Sequence, residues 1–148
     1  MTPNSISDYQ DRITEALVKF FGKDQRRIAH TLDVLRHAQQ IAGTRIEADP
    51  DVLTAAALLH DVGIKPAEEL YGYNNGPLQE KYGPPEAKRL LDEMGFPETK
   101  TAKVIEIIGN HHSRSRYDYV ELEILKEADA IVNRAESQTG YQPDVRST

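Results

Sequence analysis

The sequence predicts an all-α protein that folds as one compact domain, and three observations support this. Apolar residues recur at three- and four-residue spacing along most of the chain, as on the buried face of a helix. Glycines, prolines and capping side chains separate these stretches, and no alternating run between hairpin turns indicates a strand. A length of 148 residues suits a single domain. We expect about six main helices over residues 7–135 and a polar tail over residues 136–148.

The first two helices are marked by their capping residues. Ser7 opens an S-x-x-Q capping box, and the helix that follows should end before Gly22. Asp24 can cap a second helix, whose apolar face continues until Gly43. His30 lies within this second helix.

The third helix is predicted to lie at the centre of the domain. Asp49 can cap it, and Pro50 suits its first turn. Residues 52–59 are then apolar on nearly every side, which is typical of a buried helix. This helix runs into the polar pair His60 and Asp61.

The second half of the chain begins with a segment that breaks the helical pattern. Glycines and prolines interrupt residues 64–82, which we expect to form a long loop with short helical pieces covering an active site. Later helices are predicted over residues 84–95, 97–112 and about 119–135. Between the last two, residues 113–116 form a basic loop.

Composition excludes several classes of chemistry. The chain has no cysteine, so disulfides, thiolate metal sites and a cysteine nucleophile are excluded, and any metal must bind nitrogen and oxygen. A net charge of −6 disfavours binding of a long nucleic acid. No apolar run reaches the roughly 20 residues that cross a bilayer, and the first residues lack the features of a signal peptide. We therefore expect a cytoplasmic protein with no membrane partner.

Several polar residues occupy positions where the pattern favours apolar ones. His60 and Asp61 end the buried helix, and His30 lies within an amphipathic helix. His111 continues an apolar face, and Asp129 interrupts another. An ionised group buried without a partner costs several kcal/mol, and a divalent metal would satisfy all of these side chains together. Imidazole with carboxylate suits Mn, Fe, Co, Ni or Zn, and carboxylate oxygen also suits Mg.

Each of these residues also has an ordinary structural explanation. Asp129 could pair with a buried lysine or arginine. His111 and His112 could simply end a helix, where a positive charge meets the helix dipole favourably. A lone histidine in a helix, such as His37, is more often a surface or core residue than a ligand.

The order of these motifs along the chain is more specific than any single residue. Four segments carry it: 28–31 with His30, 57–63 with His60 and Asp61, 107–112 with the double histidine, and 127–133 with Asp129. Together they resemble the HD-domain superfamily of metal-dependent phosphohydrolases over about residues 24–135. The resemblance implies a helical fold of HD type and a divalent metal bound by four residues: His30, His60, Asp61 and Asp129.

Members of that superfamily with two metals carry further histidines. His111 or His112 could supply one of these, as a ligand to a second metal or as a supporting residue. No histidine occurs in residues 81–86, where similar sequences often carry one. The resemblance therefore implies either one metal or Glu86 as a substitute oxygen ligand. This departure weighs against a two-metal mechanism and against a two-iron oxygenase.

The implied reaction is hydrolysis of a phosphoester by metal-activated water. A bound divalent ion makes hydroxide available near neutral pH and polarises a phosphoryl oxygen. Asp61 could orient the water or take its proton, and Lys65 is the other expected catalytic residue. Lys65, Arg114 and Arg116 could bind the phosphate, although each could equally be ordinary surface charge. Four loop side chains could contact a leaving nucleoside: Tyr71, Tyr73, Asn74 and Asn75.

The expected substrate is a small phosphorylated molecule, with nucleotides among the candidates. The alternative from a different class is a non-catalytic HD-like module that binds metal or nucleotide for structure or regulation. The sequence leaves open the substrate, the physiological metal and the oligomeric state.

Overall fold

The structure, a computed structural model, describes residues 6–45 and 47–138. Over these residues it consists of seven α-helices and contains no strand, which confirms the predicted all-α class. The helices are α1 (Ile6–Phe21), α2 (Gln25–Ala42), α3 (Pro50–Leu59), α4 (Ile64–Tyr71), α5 (Gly76–Glu93), α6 (Glu98–Ile108) and α7 (Val120–Gln138).

Helix α3 lies at the centre of the fold, as its apolar sequence predicts. All residues from 52 to 59 are buried, and α3 packs against α1, α2, α6 and α7. The Asp49 side chain caps its first turn by accepting hydrogen bonds from two backbone N–H groups. Helices α2 and α7 also pack against each other. The C-terminal end of α3 therefore brings His60 and Asp61 into the interior, beside polar residues of α2 and α7.

The segment over residues 64–82 is more helical than we predicted. Helix α4 and the first turns of α5 fill most of it, so a long loop is wrong for this region. Asn75, Gly76 and Pro77 lie where we expected the helical pattern to be interrupted, and they instead begin a helix. The Asn75 side chain caps α5 by accepting from Leu78 N at 2.9 Å, and proline suits the first helical turn.

Two glycines allow α5 to approach the end of α3 and helix α6 closely. A Cβ atom added at Gly63 would lie 2.6 Å from both the Gln79 carbonyl oxygen and the Gly83 backbone nitrogen. A Cβ atom added at Gly83 would lie 2.8 Å from a side-chain carbon of Ile108. These contacts set the position of α5 beside the His60-Asp61 pair.

A buried carboxylate joins the first turns of α3 and α7. Glu121, at the start of α7, is fully buried and accepts a hydrogen bond from Asp49 N at 2.6 Å. Its other carboxylate oxygen lies 3.0 Å from the Lys103 ammonium on α6. Glu121 thus connects three helices at the end of the domain where α3 begins.

Three further predictions concern the C-terminal tail, the Ser7 capping box and membrane crossing. Helix α7 continues to Gln138, so residues 136–138 belong to a helix and not to the predicted tail. The rest of that tail, residues 139–148, and the Ser7 capping contact lie outside the residues and side chains that the structure describes. No helix in residues 6–45 or 47–138 combines the length and apolar character needed to cross a membrane.

Candidate metal centre

The four residues predicted to bind a metal meet in one cluster. His30 comes from α2, His60 and Asp61 follow α3, and Asp129 lies on α7. Oδ2 of Asp61 lies 3.3 Å from Nε2 of His60 and 3.6 Å from Nε2 of His30. Oδ1 of Asp129 lies 3.5 Å and 3.1 Å from the same two nitrogens. Two imidazoles and two carboxylates therefore face a common point.

The backbone orients two of the histidines in the same way. Nδ1 of His60 contacts the Ala57 carbonyl oxygen at 2.7 Å, and Nδ1 of His111 contacts the Ile108 carbonyl oxygen at 2.6 Å. A carbonyl oxygen only accepts, so in each ring Nδ1 carries the donated hydrogen. In the neutral ring, Nε2 is then the lone-pair nitrogen that faces the cluster, as metal binding requires.

The Nε2 atoms of His60 and His111 are fully buried and have no hydrogen-bond partner. Carboxylate oxygens of Asp61, which are also acceptors, lie 3.3 Å from Nε2 of His60 and 3.9 Å from Nε2 of His111. Buried acceptors that face each other are unfavourable unless a cation or a proton lies between them. The donor set, which contains nitrogen and oxygen but no sulfur, therefore fits a divalent ion.

The pKa values of two histidines show how strongly this cluster attracts positive charge. Burial alone would lower the pKa of His30, but the hydrogen bond to Asp129 and the negative charge of Asp61 raise it to about 10. For His60 burial likewise opposes protonation, and the same two carboxylates raise the pKa. Burial would raise the pKa of Asp129, and the hydrogen bond to His30 together with the nearby His60 ring lowers it well below its usual range.

His111 has the opposite behaviour. Burial, together with the nearby His112 and His60 rings, lowers its pKa to about 3, so the ring is neutral at pH 7. Its Nε2 faces Oδ1 of Asp61, whereas Oδ2 of Asp61 faces His30 and His60. Asp61 thus belongs to two groups of possible metal ligands, one with His30 and His60 and the other with His111 and His112. Within each group the ligand atoms all lie within 4.8 Å of one another.

The side chain of His112 is held by a chain of buried polar groups. Its Nε2 makes a short hydrogen bond with Oε1 of Gln79, which is fully buried on α5. The Gln79 amide donates to Asn74 Oδ1, and Asn74 donates to Glu68, both at 2.7 Å. Because a carboxylate only accepts, every hydrogen bond in this series must be donated in the direction of Glu68. His112 must therefore donate from Nε2. That nitrogen is therefore not free to bind a metal in this arrangement.

Comparison with known proteins decides the family. A family model described as HD domain matches residues 27–134, which is most of the chain. The chain belongs to the HD-domain family. The resemblance inferred from the order of the motifs is confirmed.

Two similar proteins extend the comparison. Ribonuclease Y of Clostridium novyi (strain NT) is 26% identical over 123 residues, which is 79% of this chain and 22% of that relative. The chain thus spans less than a quarter of the relative's length. A crystal structure of a predicted HD superfamily hydrolase from an uncultured Thermotogales bacterium is 26% identical, with a TM-score of 0.59 over 95% of this chain and 79% of the other. The similarity to this solved structure agrees with the HD-domain assignment.

Two of the predicted residues are not part of the cluster in this HD domain. Glu86 on α5 pairs with Arg89 at 2.8 Å, which argues against it as a substitute metal ligand. Lys65 on α4 donates to the Phe20 carbonyl oxygen at 2.8 Å and lies over the Phe20 ring. The predicted phosphate and catalytic role of Lys65 is therefore not supported. His37, predicted to be an ordinary residue, contacts the neighbouring Arg36.

The basic loop continues directly from His112. Arg114 is exposed, and the Arg116 guanidinium donates to the Gly109 carbonyl oxygen at 3.2 Å. Lys126, one turn before Asp129 on α7, donates to Ser113 O and Ser115 Oγ, both at 2.7 Å. Sequence reasoning missed Lys126, because its relation to the loop depends on the packing of α7.

The four side chains expected to contact a nucleoside divide into two classes. Asn74 is buried in the chain that leads to His112, and Asn75 caps α5, so both are structural. Tyr71 and Tyr73 are exposed, with ring centroids 6.3 Å apart. The Tyr71 hydroxyl also bonds to that of Tyr82 at 2.8 Å.

Proposed function

We propose that this HD domain is a metal-dependent phosphohydrolase that acts on a small phosphorylated molecule, with nucleotides among the candidates. The pair of buried imidazole lone pairs on His60 and His111, both facing the Asp61 carboxylate, carries this proposal. Four residues would hold the ion: His30, His60, Asp61 and Asp129. The donor set suits Mn, Fe, Co, Ni or Zn best, and Mg less well because Mg favours oxygen ligands.

We further propose that each chain holds one ion. Glu86 is paired with Arg89, so it does not replace the histidine that residues 81–86 lack. His111 then supports the single position from the Oδ1 side of Asp61.

Several residues of this chain would have separate roles in phosphoester hydrolysis. The bound ion would supply an activated water and a polarised phosphoryl oxygen. Asp61 would orient the attacking water and accept its proton as the new P–O bond forms. The ester P–O bond would then break, and the proton held by Asp61 would pass to the leaving alcohol. Arg114, Arg116 and Lys126 would neutralise the phosphate oxygens, because all three lie on or against the loop after His112.

A small substrate fits the charge of the molecule better than a long one. The net charge of −6 repels the phosphate backbone of a long nucleic acid, whereas a single phosphate group can be neutralised by a few local cations. The similar protein from Clostridium novyi is named a ribonuclease, so short RNA belongs among the substrates to be tested. The cytoplasmic location stays a prediction from the sequence.

The alternative is a non-catalytic module in which the ion stabilises the fold. The complete burial of His60 and the engagement of Lys65 with α1 favour this reading, because both are typical of a structural site.

One experiment separates these functions. Protein stripped with a chelator is reloaded with each candidate ion and assayed against nucleotides, simple phosphoesters and short RNA. We expect multiple turnover of a small phosphoester, and we expect that turnover to be lost in Asp61→Asn and unchanged in His37→Gln. Wild-type protein that binds the ion without turning over any compound in the panel would support the non-catalytic module instead.

A further inference from the structure

The three inward-facing histidines differ in how their second ring nitrogen is held. In His60 and His111, Nδ1 bonds to a backbone carbonyl oxygen three residues earlier, so the local chain alone fixes the ring. In His30, Nδ1 lies 2.9 Å from a carboxylate oxygen of Glu136, which is 106 residues away in the sequence. The orientation of this proposed ligand therefore depends on the packing of a distant helix.

Helix α7 holds both nitrogens of the His30 ring. Asp129 and Glu136 are seven residues apart, which is about two turns, so they lie on the same face. Oδ1 of Asp129 lies 3.1 Å from Nε2 of the His30 ring, and Oε2 of Glu136 lies 2.9 Å from Nδ1 of the same ring. The side chains of His30, Asp129 and Glu136 are exposed by only 13%, 17% and 14%, so solvent screens these contacts weakly.

A carboxylate that accepts the N–H of a metal-binding imidazole acts on the metal through the ring. It fixes the tautomer, so that the opposite nitrogen keeps its lone pair, and it makes that nitrogen more basic. We propose that Glu136 is a positioning residue for the metal centre and acts through His30. This inference rests on the proposed metal site, although it does not require that the site be catalytic.

The inference is tested by the affinity for Mn²⁺, measured by calorimetry on metal-free protein. We expect Glu136→Ala to weaken binding about 10–100-fold, which is the usual effect of removing such a partner. Glu136→Gln should recover part of the loss, because an amide oxygen can still accept the N–H. Glu127→Gln, a charge-matched change at an exposed position of α7, should leave the affinity close to wild type.

A double-mutant cycle distinguishes positioning from a general effect of charge. If Glu136 acts through the ring, Glu136→Ala should cause no further loss of Mn²⁺ affinity in a His30→Ala background. Losses that add in the double variant would overturn the inference, as would a Glu136→Ala affinity equal to that of wild type. Circular dichroism on each metal-free variant verifies that α7 is intact.

Failure of the inference and failure of the proposed function give different results. Tight Mn²⁺ binding without turnover contradicts the phosphohydrolase and leaves the role of Glu136 standing. Turnover by wild type, together with an unchanged Mn²⁺ affinity in Glu136→Ala, supports the phosphohydrolase and contradicts the role of Glu136. Wild-type protein that binds no Mn²⁺ would overturn the inference directly.

Discussion

His60 and His111 lie side by side, with ring centroids 5.4 Å apart, yet their surroundings give them opposite charge behaviour. Both rings are completely buried, which disfavours the charged form. His60 faces the carboxylates of Asp61 and Asp129, which outweigh the effect of burial. His111 faces only one of these carboxylates. The rings of His112 and His60 lie nearby and, like burial, lower its pKa. The position of each carboxylate oxygen thus decides which ring can hold a proton when no metal is bound.

The stability of the metal-free protein should therefore fall as the pH rises. The pKa of His30 is about 10 in the folded protein and 6.5 without its surroundings, so its protonated form stabilises the fold fully below pH 6.5. That stabilisation is lost progressively as the pH approaches 10, and His60 contributes in the same direction. Urea unfolding of chelated protein over this range should show the decline, and His30→Gln should reduce it. An unfolding midpoint that does not depend on pH in the chelated wild type would contradict this description of the cluster.

At the scale of helices, the site depends on the close packing of α5 against the junction between α3 and α4. The Gly63 Cα faces backbone atoms of α5, whereas the Gly83 Cα faces one methyl group of the Ile108 side chain. Backbone cannot move aside as a side-chain methyl group can. The two glycines are therefore not equivalent.

We expect Gly63→Ala to destabilise the protein by about 3 kcal/mol or more, through displacement of α5. Gly83→Ala should cost less, about 1–2 kcal/mol, because only the Ile108 Cγ2 methyl group must shift and alanine favours the helix. Chemical denaturation of both variants measures the difference. Equal stabilities would show that α5 adjusts freely, and the packing argument would then be wrong.

The opposite end of the helical bundle has a separate polar anchor. Removing one partner of a buried charged contact typically costs about 3–5 kcal/mol. Glu121→Ala should approach this loss, because it leaves Asp49 N–H and the Lys103 ammonium without their acceptor. Glu123→Ala, at an exposed position of the same helix, should change the free energy of unfolding by about 0.5 kcal/mol or less. Reconstituted Glu121→Ala should still bind metal, and a loss of metal in this variant would contradict the separation of the two ends.

At the scale of the whole molecule, the sequence predicted the features that depend on local pattern. The class, the central helix and the HD family follow from apolar spacing and from the order of the polar exceptions. His60, Asp61 and Asp129 were identifiable because each breaks an apolar run. Their meeting with His30 in one cluster agrees with the prediction, although their role as ligands remains to be measured.

The features that the sequence did not predict depend on which helix faces meet. Gln79, Lys126 and Glu136 are ordinary polar residues in their own segments, and they contact the site only because α5 and α7 pack beside it. The Lys65 ammonium contacts α1, since proximity in the chain does not fix direction on a helix, and its catalytic role stays a prediction. The loop over residues 64–82 was mistaken because an asparagine followed by glycine and proline can begin a helix as well as form a turn.

The metal content of the protein and of its site variants tests the central claim most directly. Elemental analysis after reconstitution and removal of free ion should find one divalent ion per chain in wild type and in His37→Gln. His60→Ala and Asp61→Asn should lose it, because each removes a donor from the shared position. Wild-type protein without a bound ion, or variants that retain as much ion as wild type, would contradict the account.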